Sequence, residues 1–251
     1  MLTIYRADAF LTPPGAVLFD IDNTLYAYEP AHAVAMSAVR AKTAALFGIE
    51  PAAFDQVFDA ARTATKAQLG STASSHSRLL YFQRMVEMFG LGSQVLLALD
   101  LEQTYWRTLL SNATLFPGVN ELLDDLRIAE VPRAIVTDLT AQIQFRKMIY
   151  FGLDHDVDYI VTSEEVGFEK PHPAPFEAAI AKMQAQGTCV WMIGDDPETD
   201  IVGARRAVQA VTLQKLHRGV TLGSGECQPD AAFTDFADVR ALFARLAGHA
   251  P

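Results

Sequence analysis

The spacing of the apolar runs constrains this chain more than any other feature. Five short stretches rich in β-branched residues read as strands buried on both faces: Ala16 to Phe19, Ala134 to Val136, Tyr159 to Val161, Cys189 to Ile193 and Ala210 to Leu213. Helical patterns separate the last four. In Pro175 to Met183, for example, Phe176, Ala179, Ile180 and Met183 share one face and Gly187 follows the end. Such alternation predicts an α/β fold with a doubly wound parallel sheet and right-handed crossovers.

The interval between the first two strands is too long for one crossover. Positions 26–113 carry no strand signal and give four helical stretches, roughly 31–47, 51–69, 77–89 and 94–110, punctuated by Gly48, Gly70, Gly90 and Gly92. The expected organisation is therefore a sheet domain built from 1–25 and 114–251, interrupted by a helical domain over 26–113. The crossover helix resumes at Val119 to Ile128, introduced by Pro117 and Gly118, and a last amphipathic helix is expected over 235–247. A length of 251 residues suits one full domain plus an insertion. The Gly-rich stretch from Gly219 to Gly225 follows no strand and opens no helix, so it reads as a surface loop rather than a phosphate cradle.

Half of the residues are apolar and a fifth are charged, which supports a packed core. The formal charge of −10 repels phosphate backbones and anionic lipid, so neither nucleic acid nor a membrane is an expected partner. No apolar run approaches the roughly 18 residues that cross a bilayer, and the opening MLTIYRADAFLTPPG lacks the pattern of a secretory signal. Cys189 and Cys227, with no tandem spacing, make neither a zinc knuckle nor a disulfide framework, and a cytoplasmic location is expected. The sequence does not speak to oligomeric state or to the role of residues 1–14.

In an open parallel sheet ligands bind at the carboxyl ends of the strands. The first predicted strand runs out into Asp20-Ile21-Asp22-Asn23-Thr24, the second into Thr137-Asp138, and the fourth into Gly194-Asp195-Asp196, with Asp200 close behind; the loop after the third carries Lys170-Pro171. Alone, each piece is commonplace. Together, four strand ends far apart in sequence are expected to meet at one edge. Carboxylates of Asp20, Asp22, Asp195 and Asp200 gathered against Lys170 repel one another by about 4 kcal/mol for a pair about 4 Å apart at an effective dielectric of 20. A bound cation relieves that repulsion, and so does a proton held on one carboxylate. An oxygen-only donor set suits a hard ion that keeps several waters, which points to Mg²⁺ before zinc or copper. Residues two apart in extended chain lie about 7 Å apart on one side, so Asp20 and Asp22 can address opposite ends of a small group. Asp20 can then act as a nucleophile and Asp22 as general acid and base, while Thr137 and Lys170 stabilise negative oxygens.

FDIDNTLY, IVTD, the Lys170 of EKPHP and the Asp195 of IGDDPETD resemble, in order and placement, the four motifs of the haloacid dehalogenase superfamily. The resemblance spans about Gly15 to Val239, and the insertion falls where that superfamily places a helical cap. It implies Mg²⁺-dependent phosphoryl transfer through an aspartyl-phosphate on Asp20, with Asp22 as acid and base. By the same resemblance Thr137, Asp138 and Lys170 hold the phosphoryl oxygens. The metal is bound by Asp20, the backbone carbonyl of Asp22, and Asp195, and Asp200 orients a metal-bound water or Lys170 from behind. Asp138 stands where many relatives have Asn, and Asp196 adds a carboxylate beside Asp195 that competes for the same ion.

Fold alone does not choose the reaction. Asp22 favours phosphate ester hydrolysis, because relatives that cleave carbon-halogen or carbon-phosphorus bonds generally lack an acid there. A cap that shuts out water suits a small phosphorylated metabolite, such as a sugar phosphate or nucleoside monophosphate. Two alternatives stay open: a phosphomutase on the same scaffold, and a non-catalytic metal-binding regulatory protein. In the cap, the loop Gly70 to Ser77 with His76 and Arg78 can contact a polar substrate, or can be a helix connection with Ser77 as N-cap and Arg78 solvated. Tyr26 and Tyr28 sit at the entry to the cap. His172, between two prolines, reads as a neighbour of the site rather than a catalyst.

Overall fold

The computed structural model describes residues 1–248. The chain divides into two compact units, one made of Met1–Ala27 with Thr114–Pro251 and the other of Tyr28–Ala113.

The first unit is built on a seven-stranded sheet: β1 (Leu2–Ile4), β2 (Ala16–Phe19), β3 (Arg133–Thr137), β4 (Tyr159–Thr162), β5 (Val190–Gly194), β6 (Val211–Lys215) and β7 (Ala231–Phe233). Their order is β1-β7-β6-β5-β2-β3-β4, parallel throughout except where β1 runs antiparallel to β7. The five strands expected from the apolar runs all form. β1 and β7 escape a pattern reading because three residues are too few to show a period of two, and Ala-Ala-Phe has little β-branched character. The opening residues thus complete the sheet, since β1 covers the backbone edge that β7 would otherwise expose.

β2 is buried at all four residues, as a strand with packed layers on both faces must be. Alternate residues supply the two layers. Ala16, Leu18, Ala134, Val136, Val190 and Met192 join Phe176, Ala179, Ile180 and Met183 in one continuous cluster. The latter four come from a helix over Pro173–Met183, which starts with proline at a position that needs no amide donor and is capped by His172, whose Nδ1 accepts from the Ala174 amide at 3.2 Å. His172 also stacks on Phe168, with ring centroids 3.9 Å apart, so its role in the fold is that of a cap.

The second unit is helical: α1 (Tyr28–Phe47), α2 (Pro51–Leu69), α3 (Arg78–Met88) and α4 (Val95–Ser111). α2 opens with Pro51 and stops at Gly70, whose φ of +61° only glycine adopts without strain. Phe54, Phe58 and Ala61 follow the helical spacing and are buried, and Phe58 meets Phe82 of α3 at a centroid distance of 5.5 Å. No described helix is long and apolar enough to cross a membrane.

In the first unit, further helices span α5 (Val119–Ile128), α6 (Ala141–Phe151), α7 (Ser163–Val166), α8 (Pro173–Met183, introduced above), α9 (Gly203–Val208) and α10 (Phe236–Leu246). A π-helical turn over Pro197–Val202 joins β5 to α9.

Candidate active site

The chain enters the sheet centre at β2, moves outward to β3 and β4, then returns across to β5 before moving out the other way. The strand order thus reverses between β2 and β5, and at such a switch point the two outgoing loops diverge and leave a crevice at the carboxyl ends. Pairing of Phe19 with Ile193 sets the register, and the Asp20 amide donates to the Ile193 carbonyl at 3.0 Å. The residues that follow these two strands are therefore brought side by side.

Asp20, Asp195 and Asp200 each offer a carboxylate oxygen to one cluster, and those oxygens lie within 4.8 Å of one another. Lys170 Nζ donates to Asp20 Oδ1 at 2.7 Å and to Asp200 Oδ1 at 2.6 Å, with all three side chains buried. Thr24 Oγ1 donates to Asp20 Oδ2 at 3.0 Å and lies 3.3 Å from Asp195 Oδ1. Asp200 packs against the backbone of Gly194 so closely that a Cβ there would stand 2.5 Å from its Cγ. Only glycine permits that approach.

Asp22 faces a different set of partners. Lys147 of α6, itself fully buried, donates to both of its oxygens at 2.7 Å, and the Tyr26 hydroxyl donates to Oδ1. Thr137 Oγ1 accepts from Gln144 Nε2 at 2.7 Å. Asp138 Oδ1 accepts from the Lys170 amide at 3.0 Å, which ties the end of β3 to the segment carrying the lysine. Asp196, adjacent to Asp195, is diverted: its Oδ1 accepts from the amides of Glu198 and Thr199 at 2.9 and 2.8 Å and caps the π-helical turn. The cluster thus holds Asp195 and Asp200, and the side chain of Asp196 is committed elsewhere.

Burial raises the Asp20 carboxyl to about 7, with the Asp200 charge adding to the rise and Lys170 opposing it. Burial, then the charges of Asp20 and Asp200, push Asp195 up to about 9. Burial also raises Asp138 against the pull of Lys170. For Lys170 the carboxylates of Asp20 and Asp200 outweigh burial and hold the ammonium well above its ordinary range. Asp22 goes the other way. Burial opposes its ionisation, but the Lys147 charge and its hydrogen bonds, helped by Tyr26, leave it below the usual carboxylate range. One ammonium cannot balance three clustered carboxylates, two of them buried, and the donor set is oxygen alone. Both features fit a hard divalent cation.

Thr24, Tyr26, Gln144 and Lys147 are contributions that a reading of strand ends passes over. The signal for two of them is present in α6. Gln144 and Lys147, three apart, fall among the buried Ile143 and Met148, where an amphipathic helix should carry apolar residues.

A family model for haloacid dehalogenase-like hydrolases matches residues 14–207. The chain is 38% identical over 190 residues to the ribulose-1,5-bisphosphate 5-phosphatase of Halopiger xanaduensis, covering 75% of this chain and 80% of that one. It is 30% identical to the glyceraldehyde 3-phosphate phosphatase of Methanothermobacter thermautotrophicus, over 79% of this chain and 84% of the other. Among solved structures, a 2-haloacid dehalogenase from Pseudomonas syringae superposes with a TM-score of 0.73 at 21% identity, covering 92% of this chain and 98% of that chain, which speaks to the fold. The chain belongs to the haloacid dehalogenase-like hydrolases.

Proposed function

We propose that this protein is a Mg²⁺-dependent phosphatase that hydrolyses a small phosphorylated metabolite through an aspartyl-phosphate on Asp20. The observation that carries the reading is the junction of β2 and β5, where buried Asp20 and Asp200 share one cluster with half-buried Asp195 and with Lys170. Kinship to two phosphatases of small phosphorylated compounds supports the choice of phosphate ester over carbon-halogen bond. So does a carboxylic acid at Asp22.

Asp20 and Asp195, with the Asp22 carbonyl, would hold the ion, and Asp200 would steady Lys170. When bound, Mg²⁺ neutralises the crowded carboxylates and the charge on the phosphoryl oxygens. Asp20 attacks phosphorus, and the bond to the leaving oxygen breaks. Lys170 and Thr137 donate to phosphoryl oxygens, with the lysine held in place by its contacts to Asp20 and Asp200. Asp22, kept ionised by Lys147, takes a proton from the water that attacks the phosphoenzyme. It returns that proton to the leaving oxygen of the next substrate, which closes the cycle.

Phosphate release from a panel of sugar phosphates, nucleoside monophosphates and short organic phosphates, with and without Mg²⁺, tests the reading. Asp20→Asn should lower turnover by at least about 10⁴-fold, in line with loss of a nucleophile elsewhere, while circular dichroism stays unchanged. Isomerisation of a sugar phosphate without release of phosphate would instead make the protein a mutase. Binding of Mg²⁺ with no turnover of any phosphate ester would make it a regulatory relative.

A further inference from the structure

β6 carries, near its carboxyl end, a buried polar side chain that the hydrolytic cycle does not use. Gln214 is fully buried and pairs in register with Gly194, the last residue of β5 before Asp195. Its Nε2 donates to the Asp195 carbonyl at 2.8 Å and to the Thr221 carbonyl at 2.9 Å, and its Oε1 accepts from the Gly223 amide at 2.9 Å. Both N–H groups of the side-chain amide and its oxygen are thus committed. A buried amide is tolerated only when partnered in this way, and here the partners are three backbone groups from two separate segments.

One of those segments is the glycine-rich stretch that the sequence presents as a surface loop. Much of it is exposed, but Gly223 is buried between exposed neighbours. A Cβ on Gly223 would collide with the Cys227 carbonyl oxygen and would stand 3.0 Å from Cβ of Pro197, which opens the π-helical turn after Asp196. Further along, Arg205 of α9 donates to the Glu226 carbonyl at 2.9 Å and to the Gln228 carbonyl at 2.6 Å. The loop is therefore seated on the turn and the helix that follow Asp195, and Gln214 ties it to Asp195 itself.

The Asp195 carboxylate belongs to the acidic cluster, with Oδ1 3.3 Å from Thr24 Oγ1. Its backbone lies one residue past the last pair of the β5–β6 ladder, and the Gln214 amide holds the carbonyl there. A group that fixes the backbone of a metal ligand fixes where the ligand's oxygens can reach, and such supports govern metal affinity.

We propose that Gln214, braced by the loop at Thr221 and Gly223, is a positioning residue that sets the Asp195 carboxylate for a divalent cation. The proposal rests on the phosphatase reading for the identity of that cation. It makes the glycine-rich loop a support of the site.

The test is calorimetric titration of the full-length protein with Mg²⁺, unaltered and with Gln214→Met or Gly223→Ala, at a temperature where circular dichroism shows each protein folded. Gln214→Met removes all three hydrogen bonds, whereas Gly223→Ala leaves Gln214 and Asp195 in the chain and displaces only the brace. The Mg²⁺ dissociation constant should rise about 10- to 100-fold in Gln214→Met, the usual effect of losing a group that orients a ligand, and by a smaller factor in Gly223→Ala. Turnover of p-nitrophenyl phosphate lost at low Mg²⁺ should return when Mg²⁺ is raised by the same factor. A merely structural role lowers the melting temperature and leaves the dissociation constant unmoved; Met183→Ala, in the apolar core of the same unit, supplies that control. Gln214→Asn, which keeps the amide but is one methylene too short to reach all three partners, serves if the Met variant does not fold. A dissociation constant equal to that of the unaltered protein in the folded Gln214 variant overturns the proposal, and so does equal weakening in Met183→Ala. An unmoved constant in Gly223→Ala overturns the part assigned to the loop. Failure of the unaltered protein to bind Mg²⁺ refutes the cation reading and the proposal together. Mg²⁺ binding without release of phosphate refutes the phosphatase reading and leaves the titration result standing.

Discussion

Two lysines divide the labour among the carboxylates of this site. Lys170 binds Asp20 and Asp200 together, and Lys147 holds Asp22 by both oxygens. Removal of Lys147 leaves the burial of Asp22 unopposed, so its proton affinity rises. Lys147→Met should therefore move the acidic limb of phosphoenzyme breakdown upward by about 1–3 pH units, the usual effect of a cation beside a carboxylate. A rapid-quench pH profile measures it; an unmoved limb would remove Lys147 from that role. Asp20, Asp22, Asp195 and Lys170 were all legible as strand-end residues of suggestive type. Lys147 was not, because a lysine in a helix normally faces water, and only its place among buried apolar neighbours sets it apart. The choice between Asp195 and Asp196 was equally hidden, since it turns on which side chain caps the following π-helical turn.

At the scale of elements, β5 and the π-helical turn after it act as one part. Gly194 ends the strand where Asp200, six residues on, folds back against it. Gly194→Ala places a methyl carbon 2.5 Å from Asp200 Cγ, so the carboxylate must move and Lys170 loses one of its two anchors. Phosphatase activity should fall by at least about tenfold, with a small change in melting temperature, as expected when a positioning group shifts by a fraction of an ångström. Unchanged kinetics would mean that Asp200 is not needed where it stands. In the helical unit, Phe58 is buried against Phe54, Phe82 and Tyr81. Phe58→Ala should cost about 3–5 kcal/mol in denaturant unfolding of that unit. The strands of the sheet and the four long helices were readable from period and punctuation. The two three-residue strands were not, because their pairing depends on neighbours distant in sequence, as when Leu2 meets Phe233.

For the molecule as a whole, the acidic cluster links stability to pH and to divalent ions. In an unfolded chain Asp20 and Asp195 ionise in the ordinary carboxylate range, near 3.8, whereas in the cation-free fold they hold their protons up to about 7 and about 9. The folded state therefore binds more protons between those limits, and the cation-free protein loses stability as pH rises through that window. Mg²⁺ that replaces the protons should raise the melting temperature more at pH 8 than at pH 6. At an ion concentration a hundredfold above the dissociation constant the gain is about 2.7 kcal/mol. A shift that shrinks with rising pH, or is matched by Na⁺ at equal ionic strength, would speak against an ion at the cluster. The chemistry itself is tested most directly by rapid acid quench of the Mg²⁺-loaded protein during turnover of a phosphate ester, followed by mass spectrometry of its peptides. A phosphoryl group on the peptide holding Asp20, lost in Asp20→Asn together with phosphate release, is the predicted result. Turnover that persists in Asp20→Asn, or a phosphoryl group on another residue, would contradict it.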